Sequence, residues 1–172
     1  LWPQKRYRDL IWSAELLATM REDLTLAILG DGPQRGALLR FRDALTHPER
    51  VLFAGKRDDV DLLLPHAEQF WIGSEYEGQS NAVIESMQAG LPVIASDIPG
   101  NRDLVIPGET GCLFKLGDTA GLAREANRLL DDPPESKRLG EAGNLRIASE
   151  FTVEMMVQRH ADLYRSEPPS QG

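Results

Sequence analysis

The chain has 172 residues, 41% hydrophobic and 27% charged, enough for one globular domain with its own core and too apolar for wholesale disorder. A net charge of −8, with a pI near 4.9, argues against a nucleic-acid-binding surface. No apolar run approaches the ~20 residues of a transmembrane helix, and the early basic residues of LWPQKRYRDL lack the apolar stretch of a signal peptide behind them.

In chain order, residues 7–20 place Leu10, Ile11, Ala14, Leu17 and Ala18 on one helical stripe. LTLAILG at 24–30 is a short apolar run closed by glycine, the pattern of a buried parallel strand. Pro33 is expected in the first turn of a helix reaching about Leu45. A second strand is predicted at 50–55, a short helix at 59–66 ended by Pro65, and a third strand at 69–73. The loop SEYEGQS leads into a helix over 81–89, stopped by Gly90 and Pro92. Strands follow at 92–96 and 111–114, with a turn-rich stretch between them. Helices are predicted over 118–131, 135–149 and 152–164. The domain spans 1–165, and 166–172 is expected to be a disordered tail.

Short strands alternating with helices predict an α/β fold, a Rossmann-like doubly wound parallel sheet flanked by helices. Ligands in such sheets sit beyond the C-terminal strand ends, which here carry Gly30, Gly55 and Gly73. The single cysteine, Cys112, cannot form an internal disulfide and fits a reducing compartment; it is expected buried and inert. One cysteine and the widely spaced His47, His66 and His160 argue against zinc. Trp12 and Trp71 are expected in the core or an interface.

The segment from Glu75 to Glu85 carries the strongest chemical signal. Glu77 lies in a loop directly after a buried strand, and Gly78 to Asn81 lead into a helix N-terminus. Free N–H groups and the positive dipole end make such a terminus an anion site. Ser80 or Asn81 acting as a simple N-cap is the plain alternative. Glu85, one turn into the helix, is placed to take two sugar hydroxyls. Separately, Gly30 to Gly36 has the spacing GxGxxxG of a dinucleotide fingerprint, but the next strand ends Phe53-Ala54-Gly55 where that fingerprint wants an acid.

SEYEGQSNAVIESMQAGLPVIASDIPGN, residues 74–101, resembles the signature of the retaining family 4 glycosyltransferases of the GT-B fold. Glu77, Gly78, Asn81, Glu85, Met87, Gly90, Pro92, Val93 and Gly100 match it. LAILGDGP, VLFAGKRDDV, PGETGCLFKLGD and FTVEMMVQRHADLY extend the resemblance from about Lys5 to Tyr164. Ser86 stands in place of the usual alanine, Asp103 of a frequent glutamate and Gly73 of a common proline.

The resemblance implies the C-terminal, donor-binding half of an enzyme that transfers a sugar from a nucleotide-diphosphate sugar to a hydroxyl with retention. It implies Glu77 at the transferred sugar and Lys5 at the diphosphate as the catalytic pair. Gly78, Gln79, Ser80, Asn81, Ala82 and Val83 would offer backbone N–H groups to sugar and diphosphate. Glu85 would bind the ribose, Gly32 would line the cleft, and Lys56 and Arg57 sit where the base is cradled. The donor would be a UDP-, GDP- or ADP-sugar. Lys5 and the helix terminus would stabilise the leaving group with no metal and no other cofactor; no Asp-x-Asp motif is present. The family has a strand ending in Gly-Arg just before the position of Leu1. Without it, the first strand and its arginine are expected to be missing, leaving an open sheet edge that could pair two copies. The acceptor half is also expected to lie elsewhere, so this chain alone should be inactive. A glycan or lipid-linked acceptor and a cytoplasmic location, peripheral to the membrane in the full enzyme, complete the expectation. The competing readings are a non-catalytic binding or assembly module and a dinucleotide-dependent oxidoreductase.

Overall fold

The computed structural model describes residues 1–152 together with Met155, Val157, Gln158, Ala161 and Asp162. Its helices are α1 (Tyr7–Ala18), α2 (Arg35–Asp43), α3 (Val60–Leu63), α4 (Asn81–Gln88), α5 (Pro99–Arg102), α6 (Thr119–Asp131) and α7 (Pro133–Glu150). Its strands are β1 (Leu26–Leu29), β2 (Val51–Gly55), β3 (Phe70–Ile72), β4 (Val93–Ser96) and β5 (Gly111–Phe114). All pairings are parallel. They form two sheets, β1-β2 and β3-β4-β5, rather than one continuous sheet.

Helix α1 joins the two sheets. Its Leu10 and Leu17 pack with Ile94, Phe114 and Leu122, while its Ile11 and Ala14 pack with Ile28, Leu38 and Val51. The predicted stripe is therefore buried in full and serves two clusters at once. Strand β4 is buried on both faces, as a central parallel strand must be. Ile94 meets α1 and α6, whereas Val93 and Ala95 pack with Val83, Met87 and Ile147 of α4 and α7. The first residues tie the strand ends together: Leu1 O accepts from Gln34 N at 3.1 Å, and Gln4 O accepts from Glu75 N at 2.8 Å.

Several local expectations change. Pro33 lies in the turn before α2, which starts at Arg35 with Gln34 as its cap. Pro65 does not end a continuous helix. It sits inside a 3-10 turn, Leu64–His66, that continues α3, because proline removes a donor but fits the first positions of a new turn. The turn-rich stretch after β4 contains the short helix α5, too brief to show a period. Trp12 is 43% exposed, not core: it falls off the buried stripe of α1. Trp71 packs between two clusters. The helix expected over 152–164 falls partly, and the tail wholly, outside the described residues; Met155, Val157, Gln158, Ala161 and Asp162 are helical. Among the described residues no helix is long and apolar enough to cross a membrane.

Candidate functional site

The β3–α4 loop and the first turn of α4 form the centre of the site. Ser80 is the N-cap, but its side chain makes no cap hydrogen bond. The N–H groups of Asn81, Ala82 and Val83 have no acceptor within the helix, as in any first turn, so the plain-cap alternative leaves them unmet. Val83 is fully buried in the core and can offer only its backbone. Asn81 and Ala82 are exposed. Gly78 and Gln79 are exposed too, and a Cβ at Gly78 would meet nothing within 4 Å, so the backbone there is open to a ligand.

Lys5 and Glu77, separated by 72 positions in sequence, meet: the Lys5 ammonium donates to Glu77 Oε1. The pair is half-buried, with side-chain exposures of 32% and 12%. The same carboxylate oxygen accepts from Ser74 Oγ at 2.6 Å. A buried polar chain runs on behind it. Ser96 Oγ donates to Ser74 O at 2.6 Å, and Asn101 Nδ2 donates to Ser96 O and Oγ at 2.9 and 3.1 Å. Ser74, Ser96 and Asn101 are fully buried. These three escape sequence reasoning because serine after a strand and asparagine in a turn are ordinary. Tyr7, partly buried beside Glu77, has its hydroxyl pKa raised by burial first and by the Glu77 charge second.

Gly100 of α5 explains how loop and helix fit. A Cβ there would lie 2.6 Å from Gly78 O and would also overlap Glu77 O. Only glycine lets α5 lie under the glutamate loop.

Glu85, one turn into α4, and Arg57, after β2, share a second feature. Both line a cavity of about 540 Å³, together with Asp58, Asp61, Leu64 and Gln88. Arg57 is not a free cation there, because its guanidinium is paired in a fork with Asp59, and those hydrogen bonds raise its pKa. Lys56 is exposed. Gly32 stands apart from this cavity's lining: a Cβ on it would run into the backbone of Leu1. Gly36, the last glycine of the GxGxxxG spacing, has only the Arg40 side chain near its Cβ position, at 3.7 Å. It makes none of the close helix–strand packing that a dinucleotide fingerprint uses its last glycine for.

Cys112 is buried, and burial pushes its thiol up to about 11, which suits an inert core residue. Ser86, in place of alanine, is buried and returns its hydroxyl to Ala82 O at 2.7 Å. Among the described residues, no group of three or more His, Cys, Asp or Glu side chains gathers in a way that could hold a metal.

Residues 1–146 match the glycosyl transferases group 1 family. The N-acetyl-alpha-D-glucosaminyl L-malate synthase of Bacillus anthracis is 31% identical over 160 residues, covering 93% of this chain and 42% of that protein. The chain thus spans less than half the length of this relative. Among solved GT-B structures, a mutant of S. aureus TarM in complex with fondaparinux, alpha-GlcNAc-glycerol and UDP superposes with a TM-score of 0.91 at 23% identity, over 96% of this chain and 34% of that one. Anabaena Alr3699/HepE in complex with UDP-glucose superposes with a TM-score of 0.88 at 26% identity, over 97% of this chain and 47% of that one.

Proposed function

Because the chain belongs to the glycosyl transferases group 1 family and has the α/β fold of the C-terminal half of a GT-B enzyme, we propose that it binds the nucleotide-diphosphate-sugar donor of a retaining glycosyltransferase. The observation that carries this reading is the convergence of Lys5 and Glu77 at the open N-terminus of α4, with Glu85 in a cavity one turn further on. The diphosphate lies on the first-turn N–H groups of Asn81 to Val83, where the helix dipole favours an anion. Lys5 neutralises the departing charge. It does so at a distance set by Glu77, so the ammonium is aimed before the donor arrives. Glu77 keeps its second oxygen for a sugar hydroxyl, and Glu85 takes the two ribose hydroxyls. The base enters the cavity beside Arg57, whose fork to Asp59 stiffens that wall. The cation and the dipole supply the charge that leaving-group departure needs, so the reading calls on no metal.

The donor is a UDP-, GDP- or ADP-sugar; the Anabaena structure carries UDP-glucose. The acceptor, a glycan or lipid-linked hydroxyl, is bound by a separate half of the enzyme, and this chain alone transfers nothing. The full enzyme works in the cytoplasm, peripheral to the membrane. The free edges of β1 and β3, each paired on one side only, could join two copies.

The test is calorimetric titration of the chain with UDP, GDP, ADP and UDP-glucose, repeated on Glu85→Ala. One nucleotide should bind saturably. Loss of the ribose hydrogen bonds to a charged acceptor, ~1.5–3 kcal/mol each, should weaken it at least about tenfold in the variant. Equal affinity for native and variant chains would refute the assignment of Glu85.

A further inference from the structure

Arg6 is the one non-glycine residue with positive φ among the described residues, at φ 49° and ψ 43°. Side chains with a Cβ avoid this region, and glycine or asparagine usually fills it. The backbone turn explains why the region is used. Arg6 N donates to Pro3 O at 3.0 Å, closing the 3-10 turn Pro3–Lys5, and Arg6 O accepts from Asp9 N at 2.9 Å, opening α1. It does not explain why arginine is there, since glycine would make the same turn with less strain.

The side chain supplies the reason. Arg6 Nε donates to Asp9 Oδ2 at 2.6 Å and Nη1 donates to Glu75 Oε1 at 2.8 Å. Glu75 stands two residues before Glu77, in the same loop. Residues 4–6 and 75–77 are therefore joined three times: Gln4 O to Glu75 N, Lys5 to Glu77, and Arg6 to Glu75. The guanidinium is charged at any working pH, and the hydrogen bonds to Asp9 and Glu75 raise its pKa further.

We infer that Arg6 is a positioning residue: it holds the turn that carries Lys5 against the loop that carries Glu77, and so sets the lysine before a donor binds. The role at a diphosphate rests on the donor-site reading above, but the clamp itself does not. Without Arg6, only the Gln4 O–Glu75 N bond and the ion pair itself join the segments, and a looser lysine loses more conformational freedom on pairing than a pre-ordered one.

The experiment measures the acetylation rate of Lys5 by mass spectrometry, in limiting reagent, with Lys56, Lys115 and Lys137 of the same chain as internal references. The full chain is compared with Arg6→Gly, Arg6→Lys and Glu75→Gln, each checked for folding by circular dichroism. Arg6→Gly keeps the φ that the turn needs and removes the side chain, and Glu75→Gln separates loss of the side-chain link from the added backbone freedom of glycine. Glu75→Gln takes the charge out of the same link without touching the turn, and keeps the test valid if Arg6→Gly fails to fold. Lys5 should label several-fold faster in both, with the reference lysines unchanged, and Arg6→Lys should return most of the protection. A native Lys5 rate in folded Arg6→Gly or folded Glu75→Gln overturns the inference. Titration with UDP, GDP and ADP separates the two claims. Where the native chain binds one of them, Arg6→Gly should weaken it about tenfold. Faster Lys5 labelling in a chain that binds none of the three keeps the clamp and removes the donor-site reading.

Discussion

Gly100→Ala tests the link between packing and site most directly. The added Cβ would stand 2.6 Å from Gly78 O. A carbon–oxygen contact settles at roughly 3.3 Å or more, and Glu77 O lies closer still, so loop or helix must move by more than about 0.7 Å. Both neighbours are backbone, and neither can swing aside as a flexible side chain would. Gly100 is buried, and α5 is anchored by the buried hydrogen bonds of Asn101. Overpacking of this kind costs about 1–3 kcal/mol. With a urea slope of ~2 kcal/mol/M for a domain of this size, the unfolding midpoint should fall by about 0.5–1.5 M. The displaced loop carries Glu77 away from Lys5 and Ser74, so nucleotide affinity should also drop, by about tenfold or more. Urea melts followed by circular dichroism and calorimetric titration of the same preparations read both effects. A Gly100→Ala chain with the native midpoint and native affinity would refute the claim that this glycine seats the site.

Two other substitutions probe the rest of the fold. Gly36→Ala should raise stability by up to about 0.5 kcal/mol, because Gly36 lies in the first turn of α2 with room for a methyl, and alanine loses less entropy in a helix; an unfolding midpoint that falls would show a close packing role after all. Glu15 is buried under the 44–47 turn: burial pushes its pKa up, but hydrogen bonds from Thr46 N at 2.8 Å and His47 N at 3.2 Å outweigh this and hold it lowered. A depressed carboxyl contributes stability above its unfolded value near 4.5, and that contribution is lost as the pH falls through the folded value. The difference in unfolding free energy between native and Glu15→Gln chains should therefore shrink as the pH drops below about 4.5, and a difference that holds constant from pH 7 to 3 would contradict it.

How much was legible in the sequence depended on whether the signal was local. The alternation of apolar runs with 3.6-periodic stripes predicted β1 to β5 and the long helices, and α1 buries every residue of its predicted stripe, because burial on one face needs only the right spacing. The placement of Glu77 and Gly78 on the loop, and of Asn81 and Glu85 on the helix after it, was readable because loop and helix terminus lie next to one another in the chain. Short elements were read unevenly: the helix expected at 59–66 is there as α3 and the 3-10 turn Leu64–His66, whereas α5, with four residues, is barely one turn and shows no repeating stripe. Partnerships were not readable. Lys5 and Arg6 meet Glu77 and Glu75 only because α1 folds across both sheets and brings the chain start to the end of β3. The buried chain from Asn101 through Ser96 and Ser74 to Glu77 joins the ends of two neighbouring strands to α5, and each of its members alone is a common turn residue. Residue types and local spacing determined the loop and the helix N-terminus that follow β3. Only the tertiary structure decided that Lys5 pairs with Glu77, that Arg6 pairs with Glu75 and that Gly100 has no room for a Cβ, since these follow from distances between segments that sequence order does not encode.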